Sequence, residues 1–389
     1  MAPDRTHPAL TSPRLPWTPV NVRLLLTVAA LLVLVTGCAT FPDEGARDWR
    51  PQAEGEGELG GPPQIAPTEP PPPTEPAPGP QQQQQAPPPA GPCEDPDPQV
   101  VAACLGPVGA IAVLPPGDQA LVAERRTGRV LQVRRGADPV EIATVPVDPA
   151  TGINGLVLSP GYAEDRLVYV LAGTPDGGQV LRIAPGEPPK PVLTGLPNSA
   201  GGGLAVDDAH LVVATGAGEG PLAGAVLRID TLGRPAPGNP DPASPVLARG
   251  LTDPGGVCID PAADTTWVTD RAPTRDVLYR VGEGTLGAPA WTWPERPGVA
   301  GCTVLPGTLV VAQSGAEALY LLTPGRDGAF TGDPKPVLEE IYGAVGEVTR
   351  APDGLLWLGT VNRDGTAPGR TDDRVVRIQP PTGGGESAI

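Results

Sequence analysis

Gly202-Gly-Leu-Ala-Val206, Leu211-Val-Val-Ala-Thr-Gly216 and Gly224-Ala-Val-Leu-Arg-Ile-Asp230 are three short apolar runs in succession, parted by turn residues such as Asp207-Asp208-Ala209. Their length and their Val, Leu and Ile content suit β-strands and are too short for a core helix. A glycine-led strand, a very apolar strand and a strand of the Val-Leu-Arg-Ile kind form a unit, and the unit recurs.

On the N-terminal side, one unit has Val108–Leu114, Gln119–Glu124 and Gly128–Val133, and a second has Asn154–Leu158, Arg166–Leu171 and Gly178–Ile183. The quoted stretch is the third. A fourth has Gly255–Asp260, Thr265–Thr269 and Asp276–Val281, and a fifth has Gly301–Leu305, Thr308–Gln313 and Ala318–Leu322. The sixth has Gly346–Arg350, Leu355–Gly359 and Arg374–Ile378. An outer fourth strand is expected in most units, at Val140–Val145, Pro191–Leu193, Pro245–Ala248, Ala290–Trp293 and Pro336–Leu338. Four short strands at a period of about 44–53 residues, with no helical pattern, are the mark of propeller blades. The fold class read from this pattern is all-β: a six-bladed β-propeller over residues 93–389.

The chain has 389 residues, with Pro 56 and Gly 52, but only 3% aromatic residues. Its core must therefore come from aliphatic side chains. The formal net charge is −17. Residues 1–37 carry Asp4 against Arg5, Arg14 and Arg23, so the remainder stands near −19. Such an acidic surface, with no basic run longer than Arg125-Arg126 or Arg134-Arg135, argues against nucleic acid as a partner. Of the two histidines, His7 precedes the expected cleavage site and His210 opens a strand, so histidine-based zinc clusters and serine triads lack their residues. No metal site is assigned, because no acidic run has the ligand spacing of a calcium loop.

Residues 1–37 read as a signal peptide: basic residues, then the apolar run Leu24–Val35, then Val35-Thr36-Gly37-Cys38. The last four residues resemble the lipobox of bacterial lipoproteins. That resemblance implies a diacylglycerol thioether on Cys38, anchoring at the extracytoplasmic face of the cell membrane, and cleavage before Cys38. Residues 38–92 read as a disordered linker, since 62–92 hold 14 prolines and the run Gln81–Gln85. Fully extended, it reaches on the order of 150 Å at about 3.1 Å per residue. The other four cysteines, an even number in an exported chain, suggest disulfides. Cys93–Cys104 would pin the linker to the domain edge, and Cys258–Cys302 would join the opening strands of consecutive units.

Units three and four continue Gly233-Arg-Pro-Ala-Pro-Gly-Asn-Pro240 and Gly250-Leu-Thr-Asp-Pro-Gly-Gly-Val257, and unit two carries Gly155-Leu-Val-Leu-Ser-Pro-Gly-Tyr162 and Asp165-Arg-Leu-Val-Tyr-Val170. Over roughly 107–380 this order resembles the glucose/sorbosone dehydrogenase family, six-bladed propellers whose active members use pyrroloquinoline quinone and calcium to oxidise sugars. The family's His-Asn-Gly-Gly step, whose histidine is the general base, reads Ser199-Ala-Gly-Gly202 here, and serine alone is no base near neutral pH. Its Thr-Gly-Asp reads Thr215-Gly-Ala217, its Arg-Asn-Pro reads Thr252-Asp-Pro254, and its Glu-His pair reads Asp270-Arg271.

The resemblance therefore implies a kept fold with replaced catalytic positions. A ligand- or protein-binding module is expected, for a saccharide or an envelope protein, with an active quinone-dependent aldose dehydrogenase as the alternative. Asn154, Ser199, Thr252, Asp253, Asp270 and Arg271 are expected around the channel mouth, because loops leading into the first strands share one end. Asp253, Asp270 and Glu347 are the candidate replacement bases. Trp267 and Trp357 read as core, and Trp291 and Trp293 as outer-strand packing.

Overall fold

Short aliphatic runs cannot each bury two faces alone, and the sheets they form solve this by stacking face to face around an axis. The computed structural model describes residues 93–325, 329–331, 334–365 and 368–381. The expected signal peptide, Cys38 and the expected linker to Pro92 lie outside these.

After a short strand β1 (Val100–Ala102), blade 1 is an antiparallel sheet of β2 (Val108–Leu114), β3 (Gln119–Glu124), β4 (Arg129–Arg134) and β5 (Val140–Thr144). Blade 2 follows with β6 (Ile153–Leu158), β7 (Val168–Thr174), β8 (Gly177–Ile183) and β9 (Lys190–Leu196). Blade 3 has β10 (Gly202–Asp207), β11 (His210–Thr215), β12 (Ala225–Ile229) and β13 (Val246–Arg249). Blade 4 has β14 (Pro254–Asp260), β15 (Thr265–Ala272), β16 (Arg275–Arg280) and β18 (Trp291–Trp293); β17 (Gly284–Thr285) leaves it to pair in parallel with β13 of blade 3. Blade 5 has β19 (Val299–Leu305), β20 (Thr308–Gln313) and β21 (Ala318–Pro324), flanked by the two-residue strands β22 (Phe330–Thr331) and β23 (Pro336–Val337). Blade 6 has β24 (Val345–Arg350), β25 (Leu356–Thr360) and β26 (Val375–Ile378).

The fourth strand of blade 6 is β1, paired antiparallel to β26 with Val100 opposite Val376 and Ala102 opposite Val375. The ring thus closes by joining the two ends of the domain, a pairing no local pattern announces. The inner strands β2, β6, β10, β14, β19 and β24 contact one another in turn, and β24 returns to β2. Two elements correct the all-strand expectation. Tyr162–Asp165 makes one turn of helix, α1, which Arg166 ends in the left-handed region at φ 55° instead of opening β7. Asn362–Asp364 forms a 3-10 turn.

Each junction between neighbouring blades holds one apolar cluster. Val130 and Leu121 meet Val168 and Val170 between blades 1 and 2, and Val122 and Val133 meet Trp357 and Val375 between blades 6 and 1. The second strand of each blade sits between two such clusters, so β7 and β25 are buried along their whole length and read as unbroken apolar runs. The outer strand β5 has only one neighbour and keeps Val140 and Ile142 exposed. The few aromatics concentrate between blades 4 and 5, where Trp267, Trp291, Trp293, Tyr320 and Phe330 pack with ring centroids 5.4–6.4 Å apart. Trp357 is fully buried.

The Cys258–Cys302 disulfide is formed, with Cα atoms 5.6 Å apart, and ties β14 to β19. Cys93 and Cys104 are not bridged, although the Cys104 thiol lies in hydrogen-bond contact with Cys93.

Glycine sets how closely the inner strands approach. A Cβ on Gly256 would stand 2.9 Å from Cα of Gly301 on the next blade, and one on Gly155 would stand 2.5 Å from Cβ of Leu204. Neither neighbour is a flexible side-chain end, so a methyl group forces the strands apart. Gly256→Ala is expected to cost about 1–3 kcal/mol in denaturant unfolding, whereas Gly282→Ala, with nothing within 4 Å of the new carbon, stays near wild type.

Candidate functional site

Five of the six inner strands carry a register shift where they begin, skipping Gly109, Asn154, Gly255, Ala300–Gly301 and Gly346 against the second strand. A bulge turns the skipped residue out of the ladder and re-aims it. Gly109, Asn154, Gly255, Ala300 and Gly346, together with Gly202 of the regular blade 3, gather at one end of the axis and line a cavity of about 60 Å³, while Gly301 lines the channel along the axis. The channel mouth is therefore a ring of bulges. Its side-chain chemistry comes from Arg125, Asn154, Arg271 and Ser314.

Asp253 lies on the loop between β13 and β14, and Arg271 near the end of β15. The guanidinium donates from Nε to Asp253 Oδ2 at 2.8 Å and from Nη2 to Oδ1 at 3.1 Å, a two-pronged ion pair. Its remaining nitrogen donates to the Val299 carbonyl at 2.9 Å. Opposite, Arg125 donates to the Ala200 carbonyl at 2.6 Å and stands 4.0 Å from Asp364, which also holds Arg126 at 2.7 Å. Burial above all, and the nearby Arg271, lower the Arg125 pKa from its ordinary value, with Asp364 and Asp253 pulling the other way. Sequence reading missed Arg125, because Arg125-Arg126 looks like any basic pair in a turn.

Asp270 is fully buried behind the mouth. Its carboxylate accepts from the backbone N–H groups of Thr252 (3.1 Å) and Asp253 (2.7 Å). Burial raises its pKa, with those two donors working against the rise. Thr252 contributes its backbone here and not its hydroxyl. The same device recurs. Asp276 accepts from Gly298 and Val299 at 2.7 and 3.0 Å, and Asp373 accepts from Asn362. Burial pushes Asp373 up to about 6. These carboxylates shape loops and do not face the axis.

Ser199 Oγ donates to the Gly201 carbonyl at 2.7 Å, so its proton is spent within its own turn. Asn154 Nδ2 is shared among the carbonyls of Thr151 (3.2 Å), Gly152 (3.4 Å) and Ser199 (3.3 Å), which fastens blade 2 to blade 3. Ala217 donates its N–H to the Thr252 carbonyl at 2.6 Å. The six sequence-marked residues thus lie close together, but three of them use their polar groups to build the loops. His210 pairs with Asp207 across a hairpin whose Asp208 has φ 47°.

Glu347 is the acidic side chain that faces the axis among the described residues, in a channel of about 240 Å³ lined also by Asn154, Thr303 and Thr349. It leans on Gly301, whose absent Cβ would stand 2.8 Å from Oε2. Enclosure by the surrounding strands pushes its carboxyl up to about 8, with the Val348 N–H holding the rise back. A carboxyl whose folded pKa lies above its unfolded value binds a proton more tightly in the native state. Its ionisation therefore costs stability as pH rises from about 4.5 to 8. Glu347→Gln is expected to flatten that part of the stability–pH curve and to raise the melting midpoint at pH 8.5; a wild-type slope retained in the variant would show that the group titrates normally.

No family model and no curated relative matches the chain. Solved structures do. The PQQ-bound form of an aldose sugar dehydrogenase from Streptomyces coelicolor is 27% identical at TM-score 0.66, covering 72% of this chain and 96% of that one. An oxidoreductase described as a glucose dehydrogenase from Thermus thermophilus is 28% identical at TM-score 0.65, with 72% and 98% covered. The soluble aldose sugar dehydrogenase of Escherichia coli, 17% identical at TM-score 0.61 with 72% and 99% covered, shares the fold. The described six-bladed propeller is thus similar, in fold and in sequence, to the soluble aldose sugar and glucose dehydrogenases.

Proposed function

We propose that the chain is an exported lipoprotein, held by a diacylglycerol on Cys38 at the extracytoplasmic face of the membrane, whose propeller binds a saccharide or an envelope protein and does not oxidise sugars. The observation that carries this reading is the closed Arg271–Asp253 pair. A guanidinium at the mouth of a related dehydrogenase can meet an anionic cofactor, whereas here a carboxylate already occupies both prongs. The resemblance implies pyrroloquinoline quinone and calcium, and the residues of this chain do not fit them. With Arg271 held by Asp253, Arg125 is the one other cation among the described residues lining the mouth that a tricarboxylate could meet. Ser199 is bonded to the Gly201 carbonyl and not to a base, and Asp270 is buried against backbone N–H groups.

Arg125 and Arg271 at the mouth are balanced by Asp253 and Asp364, and Arg126, held by Asp364 outside the mouth, adds one positive charge beside it on an otherwise acidic chain. A polar partner with acidic groups suits that spot. Among the described residues the mouth has no aromatic side chain on which a sugar ring could stack, which favours a protein partner over a saccharide. The relation to aldose sugar dehydrogenases at 27–28% identity favours the other reading, an active quinone-dependent dehydrogenase.

Calorimetric titration of the full chain with pyrroloquinoline quinone and calcium, followed by dye reduction with aldoses, separates the two. No saturable binding is expected, and saturable binding with turnover would overturn the proposal. Separately, incorporation of a labelled fatty acid and recovery in the membrane fraction are expected for wild type and lost in Cys38→Ala. An unlabelled, soluble wild-type chain would remove the anchor.

A further inference from the structure

The axis has a second end, and its chemistry differs from that of the mouth. There the channel that holds Glu347 opens into a bowl of about 490 Å³, and the two share Ile111, Leu156, Val157, Val206 and Thr349 in their walls. The bowl is largely aliphatic, and Arg350 is the one basic residue among the described residues that line it.

Glu347 stands on the axis with little to balance it. Its carboxyl accepts from the Val348 N–H, and among the described residues no Lys or Arg lines the channel. Acceptors are plentiful around it. Each inner strand is the last in its sheet and has one ladder neighbour, so alternate backbone carbonyls of six strands face the axis without a strand partner. Thr303 and Thr349 add hydroxyls, and Thr349 shares the face of β24 that carries Glu347.

The turns at this end, which join inner strands to second strands, carry Asp118, Glu164, Asp207, Asp208, Asp260 and Asp264 against Arg166 and Arg350, with His210 beside Asp207. Asp165 is bonded to the Ser159 hydroxyl and Asp353 is paired with Arg377. Acidic turns alone make a solvated rim. Here a carboxyl also lies below them, reached through an aliphatic bowl. Arg350 ends β24 three residues on from Glu347, which sets the carboxyl about 10 Å below the rim at about 3.3 Å per residue.

We infer that the channel is a binding site for a linear aliphatic polyamine, which enters from the bowl with one ammonium at Glu347 and another at the acidic turns. Its methylene chain lies along Ile111, Leu156 and Val206, and its leading ammonium donates to Glu347, Thr349 and inner-strand carbonyls. Arg125 and Arg271 repel it from the mouth. The close approach of the inner strands at Gly256 and Gly301 leaves a slender passage, which suits an unbranched chain. Calcium would want about six to eight oxygens, several from carboxylates, and among the described residues no group of three His, Cys, Asp or Glu could hold a metal ion. The site lies at the far end of the axis and does not rest on the reading of the mouth.

The full chain is titrated by calorimetry, at low salt, with spermidine, with the shorter putrescine and with calcium chloride. Saturable binding of one spermidine per chain is expected, with putrescine weaker because it does not span from Glu347 to the rim. Glu347→Gln keeps the shape of the side chain and is expected to weaken spermidine roughly tenfold, the loss of a charged hydrogen bond. Asp207→Asn/Asp208→Asn lies on a surface turn where Asn tolerates the φ of 47° at position 208. It is expected to weaken spermidine and to leave putrescine unchanged. No saturable spermidine binding to wild type, or equal binding to Glu347→Gln, would overturn the proposal. Putrescine binding as tightly as spermidine would remove the second ammonium from the rim. Calcium binding that is lost in Glu347→Gln, with none of spermidine, would replace the polyamine by an inorganic cation.

Discussion

The approach distance of the six inner strands decides most of this molecule. With glycine where the strands crowd the axis, neighbouring backbones come within van der Waals contact, as Gly256 does with Gly301. Tight convergence leaves a narrow channel and sets the wedge angle at which blades fan outward. The six interblade clusters then fill the widening space with Val, Leu and Ile. An aliphatic chain with few aromatic rings can make such a core because each junction is thin and repeats. Larger side chains gather between blades 4 and 5, around Trp293 and Phe330.

The same convergence explains where acidic residues went. Loops leading into the inner strands must turn sharply toward the axis, which leaves backbone N–H groups without strand partners. A carboxylate at the end of a neighbouring strand satisfies one or two at once, as Glu124 does for Gly106, Asp270 for Thr252 and Asp253, and Asp276 for Gly298 and Val299. A buried carboxylate is tolerable when donors surround it. So a cluster of Asp and Glu near a propeller mouth is first a solution to loop geometry. Asp270 looked like a functional residue in the sequence for the same reason that it is structural: it sits where the second strand reaches the top of the blade.

Strands whose residues are paired locally were legible. Gln119–Glu124, His210–Thr215 and Thr308–Gln313 coincide with the runs read from composition alone, and the Cys258–Cys302 bridge followed from their equal places in consecutive units. What stayed hidden depends on distant partners. Val100–Ala102 is three residues beside a proline-rich stretch, and it is a strand only because β26 supplies an unpaired edge. Gly284–Thr285 is a strand only because blade 3 offers one. Arg125 reaches the mouth because the turn after β3 folds inward, something its neighbour Arg126 does not share with it. Ring order, bulges and turn direction are properties of the closed ring, and a single run of residues does not encode them.

Charge pairing at the mouth bears most directly on what the propeller could bind there. A two-pronged guanidinium–carboxylate pair must open before a competing anion can use the guanidinium, and with Asp253 43% exposed that opening becomes easier as salt rises. For an anionic cofactor to use Arg271, it would have to displace Asp253, whose carboxylate would then lose its partner beside a buried Asp270. That exchange trades one ion pair for another and leaves a stranded negative charge near the newcomer. The balance favours the pair in place. Asp253 on this loop therefore does more than make one contact: paired with Arg271, it forms a nearly neutral lid over a glycine-walled channel. Such a lid suits a surface that recognises a partner by shape and by weak residual charge, at the end of the axis where the ring of bulges already fixes the backbone.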